Sequence, residues 1–239
     1  MKFSAEYRVD THDTDMNGCA TATSVMRYMQ ETATLQHEKF GPTPDELRAS
    51  GKAFILSRAS LDILFPLFPQ DSVAVDTWLT SARGFGFIRC FEIRRGGELA
   101  ARMSSYWGVV NILEMKPLKA DTDGYGFGTC SDEVTTVSPT RVHIPAGIRL
   151  DTVMKRTVRY SDCDKNIHLN NTKYPAVFCD CLDMTGKFVS GLSVNYCREA
   201  RLGTEFSIMH GFDDGKHFFR TLLHDGSVGA EAIMTLGTL

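Results

Sequence analysis

The chain has 239 residues and a formal net charge of -3, with 43% hydrophobic and 23% charged residues. This composition is typical of a soluble globular protein, and the charge gives no indication of nucleic-acid binding. The N-terminal stretch MKFSAEYRVDTHD lacks the apolar segment of a signal peptide. Residues 61–69 include an Asp and two Pro, so they cannot span a bilayer as a helix. We therefore expect a cytoplasmic protein that binds neither nucleic acid nor a membrane.

The cysteines give no indication of a metal centre. Seven are scattered along the chain without a CxxC pair, which predicts neither a zinc site nor a disulfide framework. The motifs GxGxxG, GxxxxGK[ST] and HExxH do not occur. We expect no metal and no cofactor.

A repeated segment comes before each of two predicted helices. Residues 9–25 read VDTHDTDMNGCATATSV, and residues 158–174 read VRYSDCDKNIHLNNTKY. An offset of 149 positions gives five identities, among them the aspartates of two DxN triplets, residues 15–17 and 164–166. The pattern indicates an internal duplication.

Apolar residues at helical spacing follow each copy. The first predicted helix ends at the Gly-Pro pair of residues 41–42. The second is capped by Asn170 or Asn171, has Pro175 in its first turn and ends at Gly186.

Four predicted strands with turn signals between them follow each helix. They are residues 54–64, 72–80, 87–94 and 98–113 in the first half and 190–197, 204–209, 217–223 and 227–237 in the second. Residues 119–142, rich in Asp, Thr, Gly and Ser, are predicted to be a linker. We therefore predict an N-terminal domain of residues 1–118 and a C-terminal domain of residues 143–239, each with a helix buried against an antiparallel meander.

Two motifs in the second half are the most specific. Residues 164–174 read DKNIHLNNTKY at the start of the second helix, and residues 196–200 read YCREA. They resemble the DxNxHxNNxxY and YRREC motifs of the acyl-acyl carrier protein (acyl-ACP) thioesterase family. The resemblance implies an α+β fold of two tandem hot-dog domains, each a long helix wrapped by an antiparallel sheet, paired as a pseudo-dimer.

The resemblance also implies an activity and a site. The activity is hydrolysis of fatty acyl-ACP to a free fatty acid and ACP. The residues implied as catalytic are Asp164, Asn166, His168 and Glu199. The Cys that follows this Glu in many members is Ala200 here. We therefore expect direct attack by water rather than a covalent cysteine intermediate.

The first copy lacks two of these residues. Cys19 aligns with His168, and an offset of 131 positions places Phe68 opposite Glu199. We predict one working site, in the C-terminal domain, and a degenerate site in the N-terminal domain, which would line the acyl pocket.

Each expected site residue has a role in thioester hydrolysis. Unpaired backbone N–H groups after Asn170 would hold the carbonyl oxygen, and Glu199 would be the general base. His168 and Asn166 would orient the water or the thioester, and Asp164 would hold His168. Since Asp164 and Asn166 recur in the degenerate half, they could instead be turn or cap residues. Glu199 could instead be a surface residue paired with an arginine.

Other functions and assemblies stay open. Acyl-CoA hydrolysis is the nearest alternative, followed by a hot-dog dehydratase and a non-catalytic acyl-binding protein. The expected partner is an acidic acyl carrier protein, which Lys165, Lys173, Arg198 and Arg201 could meet. A monomer and a homodimer are both compatible with fused halves that already satisfy hot-dog pairing.

Overall fold

The computed structural model describes residues 2–80, 82, 84–114, 116–121 and 139–239. In the first half, the elements are β1 (Phe3–Arg8), α1 (Ala22–Phe40), α2 (Pro44–Ala49), β2 (Lys52–Ile63), β3 (Ser72–Leu79), β4 (Gly86–Arg95), β5 (Glu98–Asn111) and β6 (Lys116–Leu118). In the second half, they are β7 (Asp151–Thr157), α3 (Tyr174–Cys179), β8 (Lys187–Tyr196), β9 (Glu205–Asp213), β10 (Lys216–Leu223) and β11 (Val228–Thr238). The eight predicted strands are confirmed, whereas α2 and β6 were not predicted.

The strands form one antiparallel sheet. Its order is β1-β3-β4-β5-β2 in the first half, continued by β8-β11-β10-β9-β7 in the second, with β6 paired to β5. β2 and β8 join the halves, with Arg58 opposite Asn195 and Asp62 opposite Gly191. Equivalent strands therefore occupy equivalent places, and the halves meet at the second strand of each, as a pseudo-dimer requires.

α1 ends where the sequence predicts, directly before the Gly-Pro pair. Thr21 caps it by accepting a hydrogen bond from the Ser24 N–H, and Gly41 follows its last residue. Its apolar face, which includes Met29, is buried in a core that spans both halves. No helix in the described part of the chain is long and apolar enough to cross a membrane.

The second helix is shorter than predicted. α3 has 6 residues against 19 in α1, so the long helix expected in the second half is wrong. Only residues 180–186 separate α3 from β8. There the Asp183 side chain accepts the Thr185 N–H at 3.0 Å, and Gly186 has a φ of 65°. These residues make a turn, because only a short connection is available before β8 begins its pairing with β2.

Most of the predicted linker, residues 122–138, lies outside the described residues. Beyond it, Val142 is buried and exchanges two hydrogen bonds with the Asn195 side chain, at 3.0 Å and 3.1 Å. The segment before β7 is thereby attached to β8, at the centre of the sheet.

Candidate active site

The loop between β7 and α3 begins with a buried carboxylate. Asp162 is 4% exposed and ends a short 3₁₀ turn. Its Oδ2 accepts the Arg159 N–H at 2.9 Å, and its Oδ1 accepts a hydrogen bond from the Arg156 guanidinium at 2.7 Å. Because these contacts saturate the carboxylate on the interior side of the loop, Asp162 anchors the backbone.

Asp164 holds the turn that follows. Its Oδ1 accepts the Asn166 N–H at 2.8 Å, and its carbonyl oxygen accepts the Ile167 N–H at 3.0 Å. Ile167 has a φ of 63°, a conformation uncommon for a β-branched residue. The side chain of Asp164 therefore stabilises an unusual backbone path into His168.

The segment after β8 lies against this loop. The Leu169 N–H donates to the Ala200 carbonyl at 2.8 Å, and His168 forms a β-bridge with Arg201. This pairing brings Glu199 beside His168, although 31 positions separate them in the sequence.

His168 lies between two carboxylates. Its Nδ1 is 3.7 Å from Asp164 Oδ1, and its Nε2 is 3.8 Å from Glu199 Oε1. Its Nδ1 is also 3.3 Å from the Leu169 carbonyl oxygen, which can only accept. A ring that donates from Nδ1 to this oxygen would present Nε2 as an acceptor towards Glu199.

Glu199 also lies near a cation. Its Oε2 is 3.8 Å from the Arg201 guanidinium, and the carboxylate side chain is 55% exposed. Glu199 is thus open to solvent on one side and next to the imidazole on the other. The structure brings together all four predicted site residues, because Asn166 is fixed to the same Asp164.

The start of α3 differs from the expectation. Asn170 caps the preceding 3₁₀ turn: its Oδ1 accepts the Thr172 N–H at 2.9 Å, and its carbonyl accepts the Lys173 N–H at 2.9 Å. The prediction that the N–H groups after Asn170 are unpaired is therefore wrong at these two residues. The Asn170 side chain, which signals a helix start, is the partner of the first of these donors, and the Asn170 carbonyl is the partner of the second.

The equivalent loop of the first half has no acid–base group at the histidine position. Cys19 is 1% exposed there, with its Sγ 3.7 Å from Asp15 Oδ1. Burial, followed by the charge of Asp15, raises the pKa of the Cys19 thiol to about 11. The thiol stays protonated near neutral pH, so it offers neither a base nor a nucleophile.

The residue opposite Glu199 is not the one predicted. The Ala20 N–H donates to the Leu67 carbonyl, as the Leu169 N–H donates to the Ala200 carbonyl. Leu67 therefore corresponds to Ala200, and Pro66, rather than Phe68, corresponds to Glu199. An alignment by residue type missed a shift of two positions that the backbone hydrogen bonds reveal. The first half lacks the carboxylate in either alignment.

One side chain near the site was not found by sequence reasoning. Arg48, in α2 of the first half, donates from its guanidinium to Asn166 Oδ1 at 2.7 Å. The capping box that starts α2, Thr43 with Glu46, is visible in the sequence as TPDE. It could have predicted the helix, but not a contact across 118 positions.

No cysteine cluster marks a metal site: the six cysteines in the described residues are free thiols. The side chains of Asp10, His12 and Asp13 lie within 4.8 Å of one another. The Arg27 guanidinium is already 3.7 Å from Asp13 Oδ1, so this cluster has a cation of its own.

The two halves of the sheet each pack against a helix and join through β2 and β8, which makes a tandem hot-dog fold. The family model of the acyl-ACP thioesterase N-terminal domain matches residues 1–123, and that of the C-terminal domain matches residues 147–235. The chain belongs to the acyl-ACP thioesterase family.

Solved structures share the whole fold. The acyl-ACP thioesterase from Bacteroides thetaiotaomicron superposes with a TM-score of 0.88 at 18% identity and covers 99% of this chain and 98% of its own. The 12:0-ACP thioesterase from Umbellularia californica gives a TM-score of 0.86 at 18% identity, with coverage of 100% and 98%. At these identities the likeness shows the fold alone.

Curated relatives are plant proteins. The chloroplastic palmitoyl-acyl carrier protein thioesterase of Arabidopsis thaliana is 28% identical over 189 residues, which are 72% of this chain and 45% of that protein. A protein of the same description from Gossypium hirsutum is 25% identical over 196 residues. The chain spans about half the length of the curated relatives it matches.

Proposed function

We propose that this protein hydrolyses the thioester of fatty acyl-ACP, at one site in its second half. The observation that carries the proposal is the position of His168, whose Nε2 lies 3.8 Å from the Glu199 carboxylate. Family membership supplies the reaction class, and the chemistry of this pair fits it.

The nucleophile is a water molecule beside His168 and Glu199. The 3.8 Å between His168 Nε2 and Glu199 Oε1 is too long for a direct hydrogen bond. A water that donates to both atoms would satisfy them. As its oxygen attacks the thioester carbon, Glu199 takes its proton, a role typically worth about 10²–10⁴ in rate.

The remaining steps balance the charge. The carbonyl oxygen becomes an oxyanion, for which the Asn166 amide is the proposed donor. Collapse of the tetrahedral intermediate breaks the C–S bond and releases the carrier thiolate. The thiolate then takes from Glu199 the proton that the water gave up. Asp164 positions both the Asn166 backbone and the His168 ring, so we assign it a positioning role rather than a chemical one.

The two halves have different tasks in this proposal. Residues 143–239 form the catalytic domain, residues 1–118 form a degenerate partner that lines the acyl pocket, and residues 119–142 link them. Support comes from the buried Cys19 at the histidine position and from Pro66 at the glutamate position. The cytoplasmic location expected from the sequence stays a prediction.

The carrier is proposed from charge. The side chains of Arg201 and Arg198 are 80% and 59% exposed next to Glu199. Exposed guanidinium groups at the mouth of a site attract an acidic carrier and speed encounter. Acyl-CoA, which is also anionic, is the competing substrate.

The test is thiol release from a panel of acyl-ACP and acyl-CoA substrates. We expect release from acyl-ACP, with kcat reduced about 10²–10⁴-fold in Glu199→Ala and strongly reduced in His168→Ala. Glu205→Ala, an exposed carboxylate at the start of β9, is the matched control and should act like wild type. Faster release from acyl-CoA would assign the other carrier, and no release from either would exclude a thioesterase.

A further inference from the structure

Arg48, in the first half, touches the predicted site. It donates from its guanidinium to Asn166 Oδ1 at 2.7 Å, a short charge-assisted hydrogen bond. A guanidinium has no acceptor, so it must meet the oxygen of the amide and not the nitrogen. The contact therefore fixes which way the Asn166 amide points.

The first half provides an internal comparison. Asn17, which corresponds to Asn166, donates from Nδ2 to the carbonyls of Met184 and Lys187 at 2.8 Å and 3.0 Å. Its Oδ1 accepts the Gly186 N–H at 3.0 Å. The amide of Asn17 is thus fully used in binding the turn that follows α3 in the other half.

Asn166 differs at its nitrogen. Its Oδ1 is occupied by Arg48, but within the described ranges its Nδ2 has no hydrogen-bond partner, and the residue is exposed. Its backbone N–H is held by the same Asp164 carboxylate that lies 3.7 Å from His168. Two amide N–H donors are left over, in the loop that also carries His168.

α2 holds Arg48 in place. The helix is closed at its start by the reciprocal hydrogen bonds of Thr43 and Glu46, and Leu47 is 5% exposed in a small apolar cluster with Phe87. Arg48 follows Leu47 directly, so its backbone is fixed although its side chain reaches the surface.

We propose that Arg48 is a positioning residue that orients the Asn166 amide, so that Nδ2 donates to the thioester carbonyl oxygen. The working site is then shared: the second half supplies the reacting groups, and the first half sets the direction of one donor. The assignment rests on the proposed hydrolysis of acyl-ACP.

The experiment compares kcat and KM on acyl-ACP for variants of the two partners. We expect Asn166→Ala to lose about 10²–10³ in kcat, the usual effect of removing one oxyanion donor. Arg48→Ala should lose about 10–100-fold in kcat, because a misoriented group loses part of its contribution. KM should change little, and Arg48→Lys, which keeps a donor, should recover part of the loss.

Two further variants test whether Arg48 orients the Asn166 amide or only forms a hydrogen bond that connects the two halves. Asn166→Asp keeps an oxygen for Arg48 but has no N–H, so it should lose as much kcat as Asn166→Ala. The double variant Arg48→Ala/Asn166→Ala should be no slower than Asn166→Ala alone, because Arg48 acts only through Asn166. Full activity of Asn166→Asp, or additive losses in the double variant, would overturn the assignment.

Asp45→Asn is the matched control. Asp45 lies in the same helix, and its Oδ1 is 3.5 Å from the Nζ of Lys165 in the same loop. This exposed pair docks α2 without touching the Asn166 amide, so kcat should stay within about twofold of wild type. An equal loss in Asp45→Asn and Arg48→Ala would mean that docking in general matters, and would overturn the role of Arg48.

The outcomes also separate this assignment from the proposed function. Release of thiol by wild type, lost in His168→Ala but unchanged in Arg48→Ala, would overturn only the role of Arg48. No release by wild type would overturn both.

Discussion

The two aspartates of the site loop differ in burial and in what lies beside them. Asp162 and Asp164 are two positions apart, and both carboxylates hold backbone N–H groups. Asp162 is buried and paired with Arg156, whereas Asp164 is partly exposed and lies next to His168. Spacing in the sequence could not distinguish them, because burial decides which carboxylate can meet a substrate.

Replacing Asp162 should lower stability. In Asp162→Ala, the Arg156 guanidinium and the Arg159 N–H lose their buried acceptor, which should cost about 3 kcal/mol of the free energy of unfolding. Urea denaturation of this variant and of Asp164→Ala measures the difference. A smaller loss of stability in Asp162→Ala than in Asp164→Ala would contradict the anchor role.

Cysteine should not be needed for hydrolysis. Cys197 lies just beyond β8 and is exposed as a residue. Its thiol is nevertheless partly shielded from water, and this desolvation, followed by the charge of Glu231, raises its pKa above the usual range. A thiol held protonated is a poor nucleophile. We expect Cys197→Ser to keep kcat within about twofold of wild type, in a thiol-release assay that does not depend on protein cysteines. A loss comparable to that of Glu199→Ala would reinstate a covalent route.

At the scale of elements, α1 ends in a buried polar cluster. His37, near its C-terminus, accepts from the Arg89 guanidinium at 3.3 Å through Nε2 and donates from Nδ1 to the Pro42 carbonyl at 3.2 Å. Burial, followed by the charge of Arg89, lowers the pKa of His37 to about 4. The folded protein therefore keeps His37 neutral.

This pKa predicts how stability depends on pH. Between about pH 6.5, the ordinary pKa of histidine, and pH 4, the unfolded chain binds a proton at His37 that the folded chain does not. Stability is therefore present above pH 6.5 and is lost as the pH falls, by about 3 kcal/mol in all. Unfolding of wild type and His37→Gln from pH 4 to 7 measures it. Equal slopes for the two proteins would contradict the assignment.

At the scale of the whole molecule, the two halves exchange contacts through equivalent loops. Asn17 binds the turn after α3 in the second half, and Asn166 binds α2 after the first helix. The equivalent asparagines of the two copies thus differ in role. Asn17 stabilises the interface between the halves, and Asn166 belongs to the predicted site. Each of the two loops contacts the opposite half, so the hydrogen bonds of the Asn17 and Asn166 side chains both require the other half to be present.

The charge around the site predicts a dependence on salt. If Arg198 and Arg201 steer an acidic carrier, raising the ionic strength from 50 to 500 mM should lower kcat/KM for acyl-ACP by roughly tenfold. Hydrolysis of a neutral acyl-pantetheine should change little, since it carries no charge for the arginines to attract. The comparison is made by thiol release at matched acyl chain length. Equal salt responses for the two substrates would remove the case for electrostatic docking.

The sequence by itself determined the duplication, the strands and the four residues expected to form the site. Alternating and helical hydrophobic patterns are local, and the DKNIHLNN and YCREA motifs lie in short stretches of chain. The roles of those residues stay predictions. The tertiary structure alone decided the short α3 and the capping of the N–H groups by Asn170. It also decided that Pro66 is the position of the first copy equivalent to Glu199. It also placed Arg48 on Asn166. These features depend on which backbone groups meet across a sheet or between the two halves, and a one-dimensional pattern carries no record of such distances.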